Sequence, residues 1–402
     1  MKSFLSSKYT PEALFKLTTS RERKHFGLND EELTALIAAS IGDSLVTHTY
    51  SFNLKQDDEL IINGYAPGSI ENLCQDLILR RMYHDLCDRL HVGQSNRNKI
   101  IRQMSILMNT KKPFYAIRLD IRSFYESINR QVLFEKIRNT CKVNPLTIQL
   151  LERLFENPLI QPTSGLPRGL SVSSAMAEYD LKFFDYDLQK MNGVYYYARF
   201  VDDGIVFCSS KDSQAVVYHQ IPKMLKGMGL KMNYEKTYSI DSDTLTSDSP
   251  LDYLGYSFWR EDGKLHIGIA EKKLNKIKTR ITKSFINLAK KRNFNLLKNR
   301  MRFLTGNCRL SRNASCFPMM SGVYYNYRLL SGDGLRCLND LDIYYQRVLH
   351  CSRGKLGRII SSSLIPAQIS ELEKISFRFG FDKRIKVSFS PSEINALAGC
   401  WK

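Results

Sequence analysis

The sequence predicts an α+β fold, and three observations lead to that prediction. Short apolar runs typical of buried strands alternate with helical stretches between Phe114 and Phe258. Two of these runs are joined by Asp203-Gly204, a dipeptide that favours a tight hairpin and hence antiparallel strands. Beyond Phe258 the chain is basic, and its apolar residues recur at helical spacing. Helices are therefore expected to pack on an antiparallel sheet and to continue after it.

The first 110 residues are predicted to be mainly helical. Helical periodicity runs from Pro11 to Ile41, and further helices are expected over Ser69–Leu90 and Lys99–Met108. Between them, Leu45–Leu54 has the pattern of a strand. The turn residues of Gly64–Gly68 predict that an N-terminal extension ends at residue 68.

Acidic residues stand at the ends of the predicted strands. Asp120 lies near the end of the apolar run Phe114–Ile121, and Asp202 and Asp203 follow the run Val194–Val201. Taken alone, each would be an ordinary capping residue or the polar tip of an exposed turn. Two adjacent carboxylates repel each other unless a cation lies between them, and convergence with Asp120 would suit Mg²⁺. If the strands are neighbours, the sequence predicts a two-metal site for phosphoryl transfer.

Most of the positive charge is concentrated in residues 272–332. These 61 residues contain 15 Lys or Arg and no acid, whereas the formal net charge of all 402 residues is +19. A basic amphipathic helix is predicted because apolar residues recur there at helical spacing: Leu274, Ile277, Ile281, Phe285, Leu288 and Ala289. One such helix is usually only a solvated surface, but a long segment without acid favours contact with phosphates. The predicted nucleic-acid contacts are Lys272, Lys273, Lys276, Lys278, Arg280 and Lys283.

The composition excludes several other classes of protein. Hydrophobic residues make up 43% of the chain, too many for a disordered segment. No window approaches the roughly 18 uninterrupted apolar residues of a membrane helix, and the N-terminus lacks the apolar core of a secretion signal. The nine scattered cysteines form no C-x-x-C pair, which disfavours a disulfide framework and a structural zinc site. A cytoplasmic protein with no membrane partner is expected.

Five segments in order resemble motifs A to E of reverse transcriptases. They are Leu119-Asp120 as motif A, Gly165–Ser171 as B, Phe200–Asp203 as C, Met232–Thr237 with Lys236 as D, and Tyr253–Tyr256 as E. The resemblance implies a right-hand polymerase whose palm is an antiparallel sheet. The implied domains are an N-terminal extension (1–68), fingers and palm (69–258), a basic helical thumb (259–312) and a helical C-terminal extension (313–402).

The resemblance also implies a role for each matching residue. The metal site would comprise Asp120, Ile121, Asp202 and Asp203, holding two Mg²⁺ ions, with Mn²⁺ as an alternative. Lys236 would complete the catalytic set as the proton donor to pyrophosphate, and Tyr125 would be the steric gate against ribonucleotides. The other implied nucleotide contacts are Pro167, Arg168, Gly169, Arg97 and Arg102, and the implied primer grip is Leu254 and Gly255. Without the resemblance, Tyr125 is an ordinary core aromatic residue and Lys236 a solvated charge.

The motifs point to one branch of the family. Arg168 stands where most reverse transcriptases carry Gln, and Phe200 replaces the usual Tyr of motif C. Leu119–Ile128 and Gly165–Gly169 resemble the bacterial defence-associated and abortive-infection enzymes. Other segments are similar to the type 3 defence systems, which pair two reverse transcriptases with a noncoding RNA; these segments are Arg302–Asn307 and Tyr324–Tyr327.

The implied function is RNA-templated DNA synthesis in antiphage defence. The expected partners are an RNA template, in particular a noncoding RNA, a DNA product, deoxynucleoside triphosphates, and a second polymerase subunit or further copies of this chain. Three alternatives stay open. A retron or group II intron enzyme would copy a different RNA, and a tyrosine-primed, untemplated polymerase would carry DNA covalently. An RNA-binding scaffold would have a degenerate site, which the intact set of Asp120, Asp202 and Asp203 disfavours.

Overall fold

The computed structural model describes residues 8–58, 61–110, 112–312 and 318–401. The predicted start of the C-terminal extension, at residue 313, lies outside these residues. The described chain divides into two compact units. The first unit comprises the residues up to 96 and 114–239, and the second comprises 97–113 and the residues from 240 onward. The domain limits expected from the sequence stay predictions.

The described residues form helices and short strands. Up to residue 110 they are α1 (Pro11–Phe15), α2 (Ser20–Phe26), α3 (Asp30–Ile41), β1 (Leu54–Asp58), β2 (Ile61–Gly64), α4 (Ile70–Leu90) and α5 (Arg97–Met108). Next come β3 (Tyr115–Asp120), α6 (Phe124–Ser127), α7 (Arg130–Arg138), α8 (Pro145–Phe155), α9 (Ser171–Asp180), α10 (Lys182–Gln189), β4 (Val194–Phe200), β5 (Asp203–Cys208), α11 (Lys211–Gly227) and β6 (Tyr238–Asp241). The remainder are β7 (Leu251–Tyr253), β8 (Tyr256–Glu261), β9 (Lys264–Ile269), α12 (Glu271–Lys291), α13 (Phe294–Thr305), β10 (Asn307–Arg312), β11 (Pro318–Gly322), α14 (Val323–Tyr327), α15 (Arg336–Leu349), α16 (Gly354–Ser363), α17 (Pro366–Glu373), α18 (Phe377–Asp382), β12 (Lys386–Val387) and α19 (Pro391–Ala398).

The first unit is built on a four-stranded sheet with the order β4-β5-β3-β6. Strand β5 runs antiparallel to both β3 and β4. Because side chains alternate between the faces of a strand, one face of β3 and β5 presents Ile117, Leu119, Val206 and Cys208. All four are fully buried in a core that includes helices α4 and α9. The predicted α+β class, an antiparallel sheet with helices packed on it, is confirmed.

The predicted helix start at Ser69 is present with a capping side chain, and α7 begins in the same way. Ser69 accepts a hydrogen bond from the Asn72 N–H at the start of α4, and Asn129 accepts one from the Val132 N–H at the start of α7. These side chains satisfy N–H groups that a helix start otherwise leaves without partners. The local chemistry of the cap therefore decided where both helices begin.

The prediction of a strand over Leu45–Leu54 is wrong. Residues 45–48 lie in turns, 49–53 have no regular structure, and only Leu54 belongs to a strand, β1. The Thr47 hydroxyl donates to the carbonyl of Asp43, and the Thr49 N–H donates to the carbonyl of Ser44. Such local hydrogen bonds compete with strand pairing.

The second unit contains the predicted basic helix as α12. Its buried residues are Ile281, Ser284, Phe285 and Leu288, and it packs against α13, α15 and α16. Of the expected apolar face, Leu274 and Ile277 are only half-buried and Ala289 is exposed. The first half of the helix is therefore less covered than its periodicity predicted.

The basic residues of α12 follow the same division. Lys272, Lys273 and Lys276, in the first two turns, are exposed. Lys278, Arg280 and Lys283 are half-buried, because the helix is more closely packed from this point onward. The Lys278 ammonium lies 5.7 Å from the Tyr344 ring centroid, and the Arg280 guanidinium lies 5.3 Å from that of Trp401.

The end of the chain is largely helical. Helices α14 to α19 account for most of it, and strands β11 and β12 each pair with β10. Strands β7, β8 and β9 form a separate antiparallel sheet. No helix among the described residues combines the length and the apolar character needed to cross a bilayer.

Candidate active site

The end of β3 and the β4–β5 hairpin bring three aspartates together. Asp120, the last residue of β3, pairs directly with Asp203, the first residue of β5. Residues paired in this way have Cβ atoms about 4.5–5.5 Å apart. Asp202 immediately precedes Asp203 in the hairpin turn, and its carbonyl accepts a hydrogen bond from the Ile121 N–H at 3.2 Å. The strands that carry the predicted acids are thus neighbours.

The turn between β4 and β5 has a strained backbone, and a buried arginine donates a hydrogen bond to it. Val201 has a φ of 60°, which is unfavourable for a β-branched residue. Arg199 is 5% exposed and donates to the Val201 carbonyl at 2.7 Å. It also forms ion pairs with Glu178 at 2.8 Å and with Asp185 at 2.7 Å. Sequence reasoning missed Arg199, although a charge inside the apolar run before the acids was a visible sign.

The loop between α11 and β6 holds Asp120. The Asn233 side-chain amide donates to Asp120 Oδ1 at 2.8 Å, and the Asn233 N–H donates to the Asp120 carbonyl at 2.9 Å. The Asp120 N–H donates to the Thr237 hydroxyl at 3.1 Å. Lys236 Nζ lies 3.4 Å from Asp120 Oδ2. The structure therefore places the predicted Lys236 beside the predicted Asp120, and it adds Asn233 and Thr237, which sequence reasoning did not single out.

Asp203 has a different partner. Arg118, two residues before Asp120 on β3, places Nη2 3.4 Å from Asp203 Oδ1. The Arg118 guanidinium also lies 5.9 Å from the centroid of the Tyr238 ring. Alternation along β3 puts Arg118 and Asp120 on one face of the sheet, which explains why both reach the same end of β5.

Burial and mutual repulsion raise the pKa of Asp202 and of Asp203. Burial is the larger cause for both carboxyl groups, and the negative charge of Asp120 adds to it. Arg118 acts in the opposite direction on the pKa of Asp203 without cancelling the rise. The ionised carboxylates are therefore unfavourable where they stand, and a nearby cation would stabilise them.

The donor atoms at this sheet end fit a hard divalent cation. Carboxylate oxygens are the ligands that Mg²⁺ and Mn²⁺ prefer. The carboxylate oxygens of the three aspartates do not all lie within 4.8 Å of one another, a spacing that would allow them to share a metal ion. Among the described residues, one group of three possible metal ligands has this spacing, and it consists of Glu261, His266 and Asp333. Asp120 is instead held beside Lys236 and Asp203 beside Arg118, so cation binding requires these carboxylates to turn.

The group formed by Glu261, His266 and Asp333 lies in the second unit. His266 Nδ1 accepts a hydrogen bond from the Asp333 N–H at 2.8 Å, so this lone pair is occupied. Arg336 lies 2.9 Å from the Asp333 carboxylate, and the Trp259 ring stacks on His266 at 5.6 Å between centroids. These contacts indicate that the cluster stabilises the β8–β9 hairpin.

Tyr125 and Arg168 lie next to each other. Arg168 donates twice to the Glu126 carboxylate, at 2.5 and 2.9 Å, and its guanidinium lies 5.9 Å from the Tyr125 ring centroid. Burial, together with the negative charges of Glu178 and Asp202, raises the pKa of Tyr125 to about 12. The phenol therefore stays neutral at physiological pH. The charge of Asp202 acts on the pKa of Tyr125 and of Arg168, the two predicted nucleotide contacts. Sequence reasoning missed Glu126 as the partner of Arg168.

The predicted motif B loop packs closely against its neighbours. A Cβ on Gly165 would lie 2.7 Å from Glu126 Cα, so only glycine fits there. Gly169 has a φ of +100°, and a Cβ there would lie 2.4 Å from Asn63 Oδ1. Pro167, between the two glycines, is buried. The loop is therefore positioned by close backbone approach on both sides.

The remaining predicted contacts lie in the second unit. Leu254 and Gly255 form the two-residue turn between β7 and β8, and Arg102 is exposed on α5. Arg97, the first residue of α5, donates to backbone carbonyls, including that of Leu254. The roles of these residues in primer and triphosphate binding stay predictions.

The chain is similar to a protein family and to solved structures of other proteins. Residues 72–258 match the family described as reverse transcriptase (RNA-dependent DNA polymerase). No curated protein matches the chain. Similar solved structures include apo telomerase from Candida tropicalis truncated from its C-terminal domain, with 16% identity over 47% of this chain and 44% of that chain and a TM-score of 0.36. Another is telomerase from Candida albicans in complex with the TWJ fragment of telomeric RNA, with 15% identity over 80% and 53% and a TM-score of 0.38. The chain spans about half the length of either telomerase.

The family match covers both strands that carry the aspartates. It includes the helices packed on their sheet, the loop that holds Asp120 and the turn at Leu254 and Gly255. Members of the family are generally dependent on divalent metal ions, bind RNA templates and make DNA. Residues 72–258 are therefore a reverse transcriptase domain, the domain type of RNA-directed DNA polymerases, which are nucleotidyltransferases.

Proposed function

We propose that this chain copies an RNA template into DNA by two-metal nucleotidyl transfer. The observation that carries the proposal is the pairing of Asp120 with Asp203 on neighbouring strands, with Asp202 in the adjoining turn. Gathering carboxylates in a partly buried place is unfavourable for the fold alone. Cation-dependent phosphoryl transfer supplies a reason for the arrangement.

The metal site would comprise Asp120, Ile121, Asp202 and Asp203. Bound Mg²⁺, or Mn²⁺, would offset negative charge on the primer 3′-hydroxyl and on the triphosphate. Asn233 and Thr237 support this role because their hydrogen bonds fix both the carboxylate and the backbone of Asp120. Lys236, whose side chain is 56% exposed beside Asp120, would donate the proton to the departing pyrophosphate.

The nucleotide would contact the surface formed by motifs A and B. Tyr125 would exclude ribonucleotides by a clash with the 2′-hydroxyl, a role suited to a neutral, partly buried ring. Pro167, Arg168 and Gly169 would line the same pocket. The two hydrogen bonds that Arg168 donates to the Glu126 carboxylate support a fixed orientation for Arg168, because a bidentate pair restrains the guanidinium plane.

The template–primer would contact the thumb, whose helix is α12, and the primer grip at Leu254 and Gly255. Exposed lysines in the first two turns of α12 support a surface that follows the phosphate backbone. In this proposal the fingers and palm are residues 69–258, the thumb 259–312 and the C-terminal extension 313–402.

We further propose a role in bacterial antiphage defence, with a noncoding RNA as the template. Support comes from the resemblance of Leu119–Ile128 and Gly165–Gly169 to defence-associated enzymes. A second polymerase subunit, or further copies of this chain, would complete the system, which would act in the cytoplasm.

Primer extension tests the catalytic assignment. Purified chain is given an RNA template annealed to a DNA primer, deoxynucleoside triphosphates and Mg²⁺. Asp202→Asn/Asp203→Asn should lower incorporation by a factor on the order of 10³. Glu261→Gln/Asp262→Asn is the matched control, because it removes the same charge from two adjacent exposed acids at another hairpin turn. Equal extension by wild type and the Asp202/Asp203 variant would refute the assignment.

Sequencing tests the choice of template. RNA and DNA that copurify with the chain from its natural host are sequenced separately. One abundant noncoding RNA, with complementary DNA, is the expected result. A retron-like RNA or intron RNA in its place would contradict the proposed defence type while leaving the chemistry intact.

A further inference from the structure

Two residues with positive φ form the turn between β7 and β8. Tyr253 pairs with Tyr256, so the turn contains only Leu254 and Gly255. Their φ values are 47° and 83°. A two-residue hairpin turn with positive φ at both positions is favourable for Asn-Gly or Asp-Gly, but it strains a leucine. This turn therefore needs support from outside the hairpin.

Arg97 supplies that support through its hydrogen bonds. Its Nε and Nη2 both donate to the Leu254 carbonyl, at 2.8 and 2.6 Å. Its Nη1 donates to the Asn326 carbonyl in α14, at 2.7 Å. One guanidinium thus joins the start of α5, the β7–β8 turn and α14. Lysine could not reproduce this arrangement, because its ammonium lacks the planar fork of donors.

Two aromatic rings hold the guanidinium in place. The central carbon of Arg97 lies 4.8 Å from the ring centroid of Tyr256 and 5.8 Å from that of Tyr327. The two rings contact each other edge to face, with centroids 5.6 Å apart. Contacts between a cation and ring faces restrain the guanidinium plane and so direct its hydrogen bonds to the turn.

The turn also adjoins the basic helix α12. The Ala270 N–H, just before α12, donates to the Gly255 carbonyl at 3.1 Å. A Cβ on Gly255 would lie 3.4 Å from Lys273 Cε and 3.4 Å from Arg97 Nη2. Arg97 and an exposed lysine of α12 therefore flank the same glycine, so the conformation of the turn affects a surface suited to phosphate groups.

We infer that Arg97 is a positioning residue that sets the shape of the Leu254-Gly255 turn for binding the primer strand. This inference rests on the proposed function, because it takes the turn to contact the primer. It replaces the triphosphate contact that the sequence suggested for Arg97. Three of the guanidinium N–H groups already donate to the carbonyls of Leu254 and Asn326.

The test separates binding of the primer from binding of the nucleotide. Arg97→Lys is compared with wild type for the KM of an RNA-template/DNA-primer duplex and for the KM of dTTP. We expect the duplex KM to rise about tenfold, the typical effect of losing a hydrogen bond to a charged group, with the dTTP KM unchanged. A rise in the dTTP KM alone, or no change in either, would overturn the inference.

Two further variants guard against a general loss of structure. Arg260→Lys is the matched control, because Arg260 also donates to two carbonyls of the second unit, those of Met108 and Thr110. It should leave the duplex KM unchanged, and a rise equal to that of Arg97→Lys would contradict a specific role. Gly255→Ala, which strains the turn itself, should raise the duplex KM even if Arg97→Lys does not fold, and an unchanged value would overturn the inference.

A binding measurement separates this inference from the proposed function. Fluorescence anisotropy of the labelled duplex, without Mg²⁺ or nucleotide, needs no catalysis. A weaker affinity of Arg97→Lys supports the inference even if the wild-type chain makes no DNA, a result that would refute only the proposed function. Equal affinities would contradict the inference whatever the activity.

Discussion

At the scale of single residues, the three aspartates differ in how their charge is balanced. Asp120 accepts a hydrogen bond from Asn233 and forms an ion pair with Lys236, and Asp203 forms an ion pair with Arg118. The backbone of Asp202 itself and the positive charges of Lys236 and Arg168 act to lower the pKa of its carboxyl group. Burial and the charge of Asp120 nevertheless leave its pKa raised. The ionised form of Asp202 is therefore unfavourable in the folded chain, and a bound cation would stabilise it.

Asp202→Asn should raise the thermal stability of the metal-free protein. A raised pKa means that the folded state disfavours the carboxylate, so Asp202 lowers stability as the pH rises from its unfolded pKa through its folded one. Removing the charge should increase Tm in EDTA at pH 7.5 by about 1–3 °C, and the gain should shrink as the pH approaches 4.

Glu235→Gln is the control, because it removes one negative charge from an exposed side chain in the neighbouring loop. Its Tm should equal that of wild type. Adding Mg²⁺ should then raise the Tm of wild type more than that of Asp202→Asn. An ion stabilises the folded state only where it binds, and the variant lacks one of the proposed ligands. An Asp202→Asn protein that is less stable than wild type in EDTA would contradict this account.

At the scale of elements, the β4–β5 hairpin depends on a buried ionic network. Val201 occupies a strained conformation, and Arg199 links its carbonyl to Glu178 on α9 and Asp185 on α10. The network thus attaches the turn that bears Asp202 to two helices packed below it. The strain can persist because its surroundings determine the conformation.

Arg199→Met should destabilise the protein by about 3–5 kcal/mol, because it leaves two partly buried carboxylates without their cation. Urea unfolding followed by circular dichroism measures the free energy of unfolding. Arg153→Met is the matched control, since Arg153 pairs with Glu156 on the surface and such pairs contribute less than about 1 kcal/mol. Similar losses from the two variants would show that burial of the Arg199 network has no special importance.

At the scale of the whole molecule, the charge is distributed very unevenly. Fifteen of the 59 basic residues lie in a segment of 61 residues that has no acid. In its longest helix, α12, the lysines of the first two turns are exposed, and the buried residues begin only at Ile281. Long-range attraction of a polyanion therefore originates mainly from one segment of the second unit.

Lys272→Ala/Lys276→Ala should reduce the salt dependence of duplex binding. Each lost phosphate contact lowers the slope of log affinity against log salt by about 0.9, so two should lower it by about 1.8. Lys290→Ala/Lys291→Ala removes the same charge from exposed residues at the other end of α12 and should leave the slope near that of wild type. Equal changes for both pairs would indicate non-specific attraction.

Local patterns were sufficient to predict the sheet and its acids. Apolar runs indicated the strands, and the Asp203-Gly204 dipeptide indicated a hairpin between them. The hairpin is present, but its turn consists of Val201 and Asp202, and the dipeptide instead begins β5. These features depend on neighbours only a few positions away. The strand predicted over Leu45–Leu54 failed at the same scale, because turn hydrogen bonds competed with strand pairing.

The amino-acid sequence alone determined the α+β class, the order of the motifs and the position of the three aspartates along the chain. Tertiary structure decided which partners those residues have. Asn233 reaches Asp120 across 113 positions, and Arg97 reaches Leu254 across 157. Hydrogen bonds and ion pairs of this kind form only where packing brings distant segments within about 3 Å, so no local pattern encodes them.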